Sequence, residues 1–270
     1  ETVYSTDGLV AQWNLNETSG TTASNNGGGT SCGGTPSNCV GTLTNFSNTS
    51  GQDATTDTGW TADHKKWGAG ALMFKGSDSD YVTVPDDSSL DLTTAGTIET
   101  WVYRPTATSG GIQFIVSKAG NVSDDNKQYQ ILTADSTLYF RWGSDYNAVS
   151  SVSTIPVDQW VYIVATYDGT TDLAKVYING EFNNSGAWTT DAVATTDTVR
   201  MGARNENQYF FTGYMDSTRI YNRALLADEI LSNYLETTPT PTPSPIPSPI
   251  PAHGNSVNIP STYLNIGLPE

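Results

Sequence analysis

The 270-residue chain carries 28 Asp and Glu residues against 12 Lys and Arg, which gives a formal net charge of −16. Nucleic acids and anionic membranes both require positive charge on a protein partner, so this balance argues against either as a partner. No apolar run approaches the roughly 18 residues of a membrane-spanning helix, and membrane insertion is therefore not expected. Abundant Gly, Ser, Thr and Asn, with 10% aromatic residues, favours β structure.

The N-terminal part of the chain is rich in loops. Residue 1 is not methionine and no signal peptide is visible, so we expect a mature, processed chain. Segments 18–41 and 45–63 are nearly all polar, and loops of that length are either functional or tied down. Six residues separate Cys32 from Cys39, a spacing that suits a local disulfide in an oxidising, extracytoplasmic setting. Two free thiols are the alternative, while zinc would need more ligands.

Alternation of apolar and polar residues predicts strands through most of the chain, and Gly, Asp, Asn or Pro turns bound most of them. Two alternating runs around Asp168 and Gly169 predict a hairpin. Many short strands with frequent turns indicate an antiparallel two-sheet sandwich. The predicted strands are 80–85, 97–105, 114–118, 129–133, 137–143, 160–169, 174–180, 198–204 and 214–222.

One helix is predicted, over residues 223–235, before the first proline of the C-terminal segment. A spacing of four residues places Leu226, Ile230 and Tyr234 on one face. We expect this short helix to cover the rim of a sheet.

The C-terminal segment has a proline at every odd position from 239 to 251. We therefore predict a domain over 1–236, a Pro/Thr/Ser linker over 237–251 that reaches about 40 Å, and an extended tail over 252–270. Apolar residues in the tail suit a strand that adds to the sheet edge of a neighbouring subunit, and such contacts can build a filament. Alternatively, the tail begins a further module. The apolar tail residues are Val257, Ile259, Leu264, Ile266 and Leu268.

Five segments, in order, resemble the successive motifs of a laminin-G-like domain, over about residues 8–235. This resemblance implies the concanavalin-A-like jelly-roll fold, which is common in secreted bacterial and archaeal proteins. The fold class expected is therefore all-β, an antiparallel jelly-roll sandwich with one short C-terminal helix. The segments are 8–23, 65–85, 97–103, 160–180 and 211–230.

The resemblance also implies a structural calcium ion where the N-terminal and C-terminal strands meet. The matching positions are Asn16, Glu17 and Asp216, although asparagine stands where aspartate is common. Asp78 and Asp80 offer further oxygen ligands at a spacing of two. Alternatively, Asp78 and Asp80 are solvated turn residues and Asp216 accepts a hydrogen bond from a backbone amide.

The fold that the resemblance implies includes glycoside hydrolases, so a catalytic site is one function that the residues have to support or exclude. A retaining glycosidase needs two carboxylates about 5 Å apart, but Glu99 has no acidic neighbour two residues away. The chain's two histidines, His64 and His253, lie in a polar loop and in the tail, so no Ser-His-Asp arrangement is indicated. We therefore predict no catalytic residues and no enzyme activity.

Carbohydrate recognition is the favoured function, since a sugar's apolar face stacks on an aromatic ring while its hydroxyls need polar partners. The main hypothesis is a secreted, non-catalytic binding or adhesion module for a glycan or cell-surface ligand. The alternative hypothesis is a structural subunit of an extracellular filament or surface assembly. The candidate ligand-binding residues are Trp142, Tyr146, Trp188, Asn205, Asn207 and Tyr209.

Overall fold

Two antiparallel sheets, each of eight strands, make up the part of the chain that the structure describes. The computed structural model describes residues 4–27, 32, 34–51, 58–119, 127–143, 148–189, 191–205 and 207–235, all within the first of two units, Glu1–Thr240. The strands are β1 Leu9–Trp13, β2 Thr22–Ala23, β3 Gly41–Thr44, β4 Gly59–Thr61, β5 Ala71–Phe74, β6 Tyr81–Val84, β7 Ala95–Tyr103, β8 Ile112–Ala119, β9 Lys127–Ala134, β10 Thr137–Trp142, β11 Ala148–Ser150, β12 Trp160–Asp168, β13 Leu173–Ile178, β14 Glu181–Ala187, β15 Val199–Met201 and β16 Gly213–Tyr221.

The helical segments are short. One α-helix, α1, covers Ala227–Leu235, and short 3-10 turns cover Pro36–Cys39, Gly76–Asp78, Ser88–Leu90 and Thr106–Thr108. None of the described helices is long and apolar enough to cross a membrane. The all-β jelly-roll prediction is confirmed, with every predicted strand present. The linker and the tail, with Val257, Ile259, Leu264, Ile266 and Leu268, lie outside the described residues, and tail docking stays a prediction.

The first sheet has the order β14-β13-β12-β7-β16-β5-β4, and β1 also pairs with β16. Strand β16 therefore pairs with β7 along one edge. Along its other edge, residues 213–215 pair with β5 and residues 218–221 pair with β1. The second sheet has the order β11-β10-β9-β8-β15-β6-β3-β2. The chain crosses repeatedly between the two sheets, which brings strands distant in sequence side by side.

The main core lies between the sheets, where alternate residues of each strand meet. The predicted Cys32–Cys39 disulfide is present, and both of its residues are fully buried in this core. The indole Nε1 of Trp13 donates to the carbonyl of Cys39 at 2.8 Å, which ties the polar N-terminal loop to β1. The disulfide therefore holds the first of the two long loops, as the sequence predicted.

A second apolar cluster lies on the outer face of the first sheet, where α1 covers it. Ile230 is fully buried there, and the ring of Tyr234 stacks on Trp101 with centroids 5.6 Å apart. The expectation that Leu226 shares this buried face is wrong: its side chain is 56% exposed. The reason is that α1 begins at Ala227, so Leu226 precedes the helical register.

A buried ion pair lies beneath this cluster. Glu99 on β7 is fully buried, and its Oε1 lies 2.6 Å from the Nη1 of Arg219 on β16. The hydroxyl of Tyr162 on β12 and the side-chain amide of Asn233 in α1 donate to the other carboxylate oxygen. Asn233 also accepts a hydrogen bond from the backbone amide of Ser5 at 3.0 Å. Glu99 thus joins three strands, the helix and the N-terminal segment.

We predict that Arg219→Met destabilises the protein by about 3–5 kcal/mol, because it leaves the Glu99 carboxylate buried without its countercharge. Urea unfolding followed by tryptophan fluorescence measures this loss. Lys175→Met, on the outer face of β13 in the same sheet, is the matched control and should change stability by no more than about 0.5 kcal/mol. A loss below about 1 kcal/mol for Arg219→Met would show that the ion pair does not organise the sheet.

The start of α1 is fixed by a second carboxylate. Glu229 accepts hydrogen bonds from both terminal nitrogens of Arg223, at 2.6 and 2.7 Å, and from the backbone amide of Leu226 at 2.9 Å. The hydroxyl of Ser5 donates to it as well, at 2.9 Å. These hydrogen bonds, those of Arg223 first, lower the pKa of Glu229 to about 2. The charged form of Glu229 therefore stabilises the folded state.

We predict that stability falls as the pH is lowered from about 4.5 towards 2, because the unfolded state binds a proton to this carboxyl before the folded state does. In Glu229→Gln this part of the acid dependence is absent. Urea midpoints at pH 6, 4 and 3 for both proteins measure the difference. Parallel pH profiles for the two proteins would contradict the assignment.

Candidate functional site

The outer face of the second sheet carries a row of polar residues that crosses six strands. Residues paired in an antiparallel ladder point to the same side of the sheet. The neighbouring pairs, such as Val116 with Met201, point into the core, so the polar row points outward. From β10 to β3 its members are Arg141, Gln130, Ser117, Arg200, Thr83 and Thr42.

Arg200 lies near the middle of this row. Its guanidinium carbon is 4.6 Å from the centroid of the Tyr81 ring, and its Nη1 donates to the side-chain oxygen of Asn207 and to the carbonyl of Arg204. Burial lowers the pKa of Arg200, but an arginine remains charged at neutral pH. Its hydrogen bonds hold the guanidinium in a fixed orientation on the outer face.

The described residues 203–205 and 207–210 border the row and form a tight turn, called here the Tyr209 turn. The backbone amides of Arg204 and Asn207 donate to the carbonyls of Gln208 and Arg204 respectively, each at 3.1 Å. Asn207 and Tyr209 both adopt positive φ, at 56°. Asparagine tolerates this region of backbone space, but a bulky residue such as tyrosine is strained there.

Tyr209 holds this strained backbone and still exposes its ring. Its carbonyl accepts from the amide of Phe114 at 2.9 Å, and its ring lies 5.9 Å from the Phe114 ring. The Arg204 guanidinium lies over both rings, at 5.7 and 5.9 Å. With 41% of Tyr209 exposed, the turn presents an aromatic face next to a charged side chain and an amide.

Three of the predicted ligand-binding residues meet at this turn. Asn207 and Tyr209 are exposed, and Asn205 is half-buried with its Nδ2 bonded to the carbonyl of Thr198 at 3.1 Å. An exposed ring, an amide and a guanidinium together can stack on the apolar face of a sugar and bind its hydroxyls. Tyr146, the fourth residue predicted from a loop, lies outside the described residues.

The prediction that Trp142 and Trp188 present stacking faces needs correction. Trp142 is 1% exposed, and its ring lies 4.7 Å from Tyr167 in the core between the sheets. Trp188 is 7% exposed and packs against Phe140. Strand alternation gives the physical reason, since Trp142 shares the inward parity of Leu138 and Phe140 on β10.

Sequence reasoning missed the charged residues of the site. Arg200 is flanked on β15 by the buried residues Val199 and Met201, so its outward orientation follows from alternation alone. Its neighbours on the adjacent strands, Ser117 and Thr83, depend on register and carried no local signal.

The five predicted calcium ligands do not form one donor set. Asp216 is fully buried and accepts from the backbone amides of Lys66 and Trp67, each at 2.9 Å. The side-chain oxygen of Asn16 accepts a hydrogen bond from the backbone amide of Gly70 at 3.4 Å, in the loop that also contains Lys66 and Trp67. Glu17 instead accepts a hydrogen bond from the backbone amide of Ser24 at 2.6 Å. The carboxylates of Asp216 and Glu17 thus have backbone partners.

The two aspartates of the 76–80 turn both contact Lys75, the residue before it. Asp78 pairs with Lys75 at 3.2 Å, while Asp80 is fully buried, accepts from the Lys75 amide at 2.9 Å and has a pKa that burial raises to about 6. Within the described ranges, no three His, Cys, Asp or Glu side chains converge as a metal site would require. Calcium binding stays a prediction from the resemblance.

A second group of aromatic rings lies on the outer face of the first sheet. His64 stacks on Tyr214 with centroids 4.5 Å apart, and Tyr103 meets His64, Tyr214 and Trp160 edge-on. Tyr214 is 8% exposed. These contacts pack the 63–67 loop onto the sheet, with His64 exposed and Tyr103 and Trp160 half-buried.

Comparison with known proteins agrees with this architecture. A laminin G family model, described as the concanavalin A-like lectin/glucanases superfamily, matches residues 75–231. This match covers more than half of the chain, including β6–β16 and most of α1. No curated protein matches the chain.

Several solved structures share the fold. The receptor binding domain of botulinum neurotoxin mosaic serotype C/D has a TM-score of 0.60 at 12% identity, over 85% of this chain and 51% of that chain. A second structure is that of domain 4 of AbnA, a GH43 extracellular arabinanase from Geobacillus stearothermophilus, in complex with arabinotriose. It has a TM-score of 0.58 at 19% identity, and the match covers 84% of this chain and 98% of that chain.

The binding domain of botulinum neurotoxin DC in complex with SialylT has a TM-score of 0.58 at 11% identity, over 85% of this chain and 52% of that one. The chain thus spans about half the length of the neurotoxin binding domains that it matches. At these identities the similarity establishes the fold alone.

Proposed function

This chain belongs to the concanavalin A-like lectin/glucanase superfamily, and we propose that within it the chain is a non-catalytic, extracellular carbohydrate-binding module. The observation that carries the proposal is the Tyr209 turn. It holds Tyr209 in a strained backbone conformation, exposes the ring and places the Arg204 guanidinium over it. Asn207, two residues before Tyr209, accepts a hydrogen bond from Arg200. Strain of this kind is tolerated where a side chain must be presented in a fixed position.

Two of the structural neighbours support a carbohydrate ligand. The arabinanase domain is in complex with arabinotriose, and one of the neurotoxin binding domains is in complex with SialylT. The ligand site that we propose for this chain comprises Tyr209, Asn207, Arg200 and Tyr81, on the outer face of the second sheet. On this face Asn207 and Tyr209 are exposed, whereas Ser117 and Gln130 are buried.

The chemistry of the remaining polar groups supports a binding role over a catalytic one. Glu99 is committed to Arg219 and to two tyrosine hydroxyls, so it is not positioned to transfer a proton to a substrate. The ring of His64 packs between Tyr103 and Tyr214. The disulfide supports an oxidising, extracellular location, since such bonds persist outside the reducing cytosol.

We predict that the chain binds members of a glycan array and that Tyr209→Asn weakens binding to the best of them by about tenfold, the usual effect of losing one aromatic stacking contact. Asparagine tolerates the positive φ, so the melting temperature should change little. Isothermal titration calorimetry measures the affinity.

Phe182→Asn is the matched control, since Phe182 is also exposed, at 57%, but lies on edge strand β14 of the first sheet. It should bind the glycan as tightly as the unaltered chain. An array without hits would refute the carbohydrate ligand. Unchanged binding by Tyr209→Asn would refute the site.

A further inference from the structure

One lysine side chain is buried at the core between the two sheets. Lys118 on β8 pairs with Tyr129 on β9 and with Val199 on β15, and both of these residues belong to the main core. Paired residues of an antiparallel ladder point to the same side of a sheet, so the Lys118 side chain points inward. It is 0% exposed. A charged group without access to water needs partners that hold its charge.

Two carboxylates and two backbone carbonyls surround the Nζ of Lys118. The Oδ1 of Asp86 lies 2.7 Å from this nitrogen, and the Oδ1 of Asp91 lies 3.2 Å from it. The carbonyls of Asp197 and Thr195 accept from it at 2.6 and 3.5 Å. Both aspartates belong to the connection that leads from β6 in the second sheet to β7 in the first. The contacts therefore join β8 to a segment that crosses between the sheets.

The two carboxylates differ in their other partners. The Oδ1 of Asp91 also accepts hydrogen bonds from the side-chain amide of Gln128 and from the backbone amide of Thr195. Among the described residues, Lys118 is the one hydrogen-bonding partner of the Asp86 carboxylate. Asp91 is thus fixed in position by three donors, whereas Asp86 is bound through the amine alone.

Burial distinguishes this ion pair from the exposed pair of Lys75 and Asp78, whose side chains are 44% and 34% exposed. The Lys118 side chain has no contact with water, while 31% of the Asp86 side chain remains exposed. Withdrawal from water disfavours an ion pair relative to the uncharged amine and acid. A desolvated, uncharged lysine amine is a nucleophile. The carboxyl carbon of Asp86 lies one bond beyond the oxygen that contacts it.

We propose that Lys118 and Asp86 condense to an amide that cross-links β8 to the β6–β7 connection, a self-modification independent of the proposed carbohydrate binding. The bond between Nζ and the Asp86 Cγ forms, and the bond between Cγ and one carboxylate oxygen breaks. That oxygen leaves as water with two of the three ammonium protons, and the third proton stays on the amide nitrogen. An ammonium and a carboxylate thus become a neutral amide and water, and no further reactant is needed.

Asp91 is the proton acceptor in this step. Its oxygen contacts the reacting Nζ, and removal of one ammonium proton frees the nitrogen lone pair for attack. The proton then passes to the leaving oxygen of Asp86, so Asp91 is unchanged at the end. The fold holds the three side chains in contact, which replaces a collision by a positioned reaction. The exposed part of Asp86 gives the water that forms a path to solvent.

Intact mass spectrometry of the full chain, with its disulfide reduced, tests the proposal. We expect a mass about 18 Da below that of the sequence, because one water is lost. Trypsin does not cleave after a lysine whose amine is part of an amide. Residues 76–127 should therefore stay joined at Lys118, and fragmentation should place the new bond at Asp86.

Variants assign the roles of the three side chains. Lys118→Arg keeps the positive charge but has no primary amine, so it should show the full mass of its sequence. Asp86→Asn should still react, with a loss of about 17 Da because ammonia leaves in place of water. Asp91→Asn removes the proton acceptor and should leave most of the chain without the cross-link. Lys75→Arg, in the exposed ion pair, is the matched control and should lose water as the unaltered chain does.

The full sequence mass for the folded, unaltered chain, both fresh and after prolonged incubation, would overturn the proposal and leave an ordinary buried ion pair. A loss of water with tryptic cleavage at Lys118 would place the dehydration elsewhere and refute the cross-link. A bond to Asp91 would refute the roles given to the two aspartates. If a variant does not fold, the mass of the unaltered chain decides. No glycan takes part in these measurements, so their failure and that of the proposed function are distinct.

Discussion

A single buried carboxylate, that of Glu99, determines how the first sheet is covered. Its ion pair with Arg219 joins β7 to β16, and its hydrogen bonds with Tyr162 and Asn233 add β12 and α1. A buried charge is tolerated only when it is paired and hydrogen-bonded, so these elements must assemble together. The helix and the N-terminal segment consequently lie on the outer face of the first sheet.

The same strand, β16, also fixes the position of the candidate site. The Tyr209 turn lies between β15 of the second sheet and β16 of the first, with Gly202 and Gly213 on either side of it. Both glycines have positive φ, and a Cβ would lie 2.5 Å from the Phe74 ring at Gly202 and 2.2 Å from the Tyr103 carbonyl at Gly213. Because both ends are fixed, Tyr209 is held against Phe114 in its strained conformation.

Local sequence patterns predicted the strands, the disulfide and the helix, because alternation, turn residues and short spacings are local properties. The partners of Glu99 could not be predicted, since Arg219 and Asn233 lie more than a hundred residues away and depend on strand register. Trp142 shows the opposite case. It alternates with Leu138 and Phe140 along β10, so its inward orientation could have been predicted from the sequence. Its position next to a loop led instead to the wrong prediction of an exposed ring. The polar row through Arg200 takes one residue from each of six strands, so no single segment of the sequence shows it.

The most direct test of the account maps the ligand on the folded protein. In an NMR titration with the tightest-binding glycan of the array, we expect the largest shift changes at the backbone amides of Asn207 and Tyr209. Signals from His64 and Trp160, on the outer face of the first sheet, should stay in place. Shift changes centred on His64 and Trp160, with none at Asn207 and Tyr209, would contradict the assignment of the second sheet as the ligand face.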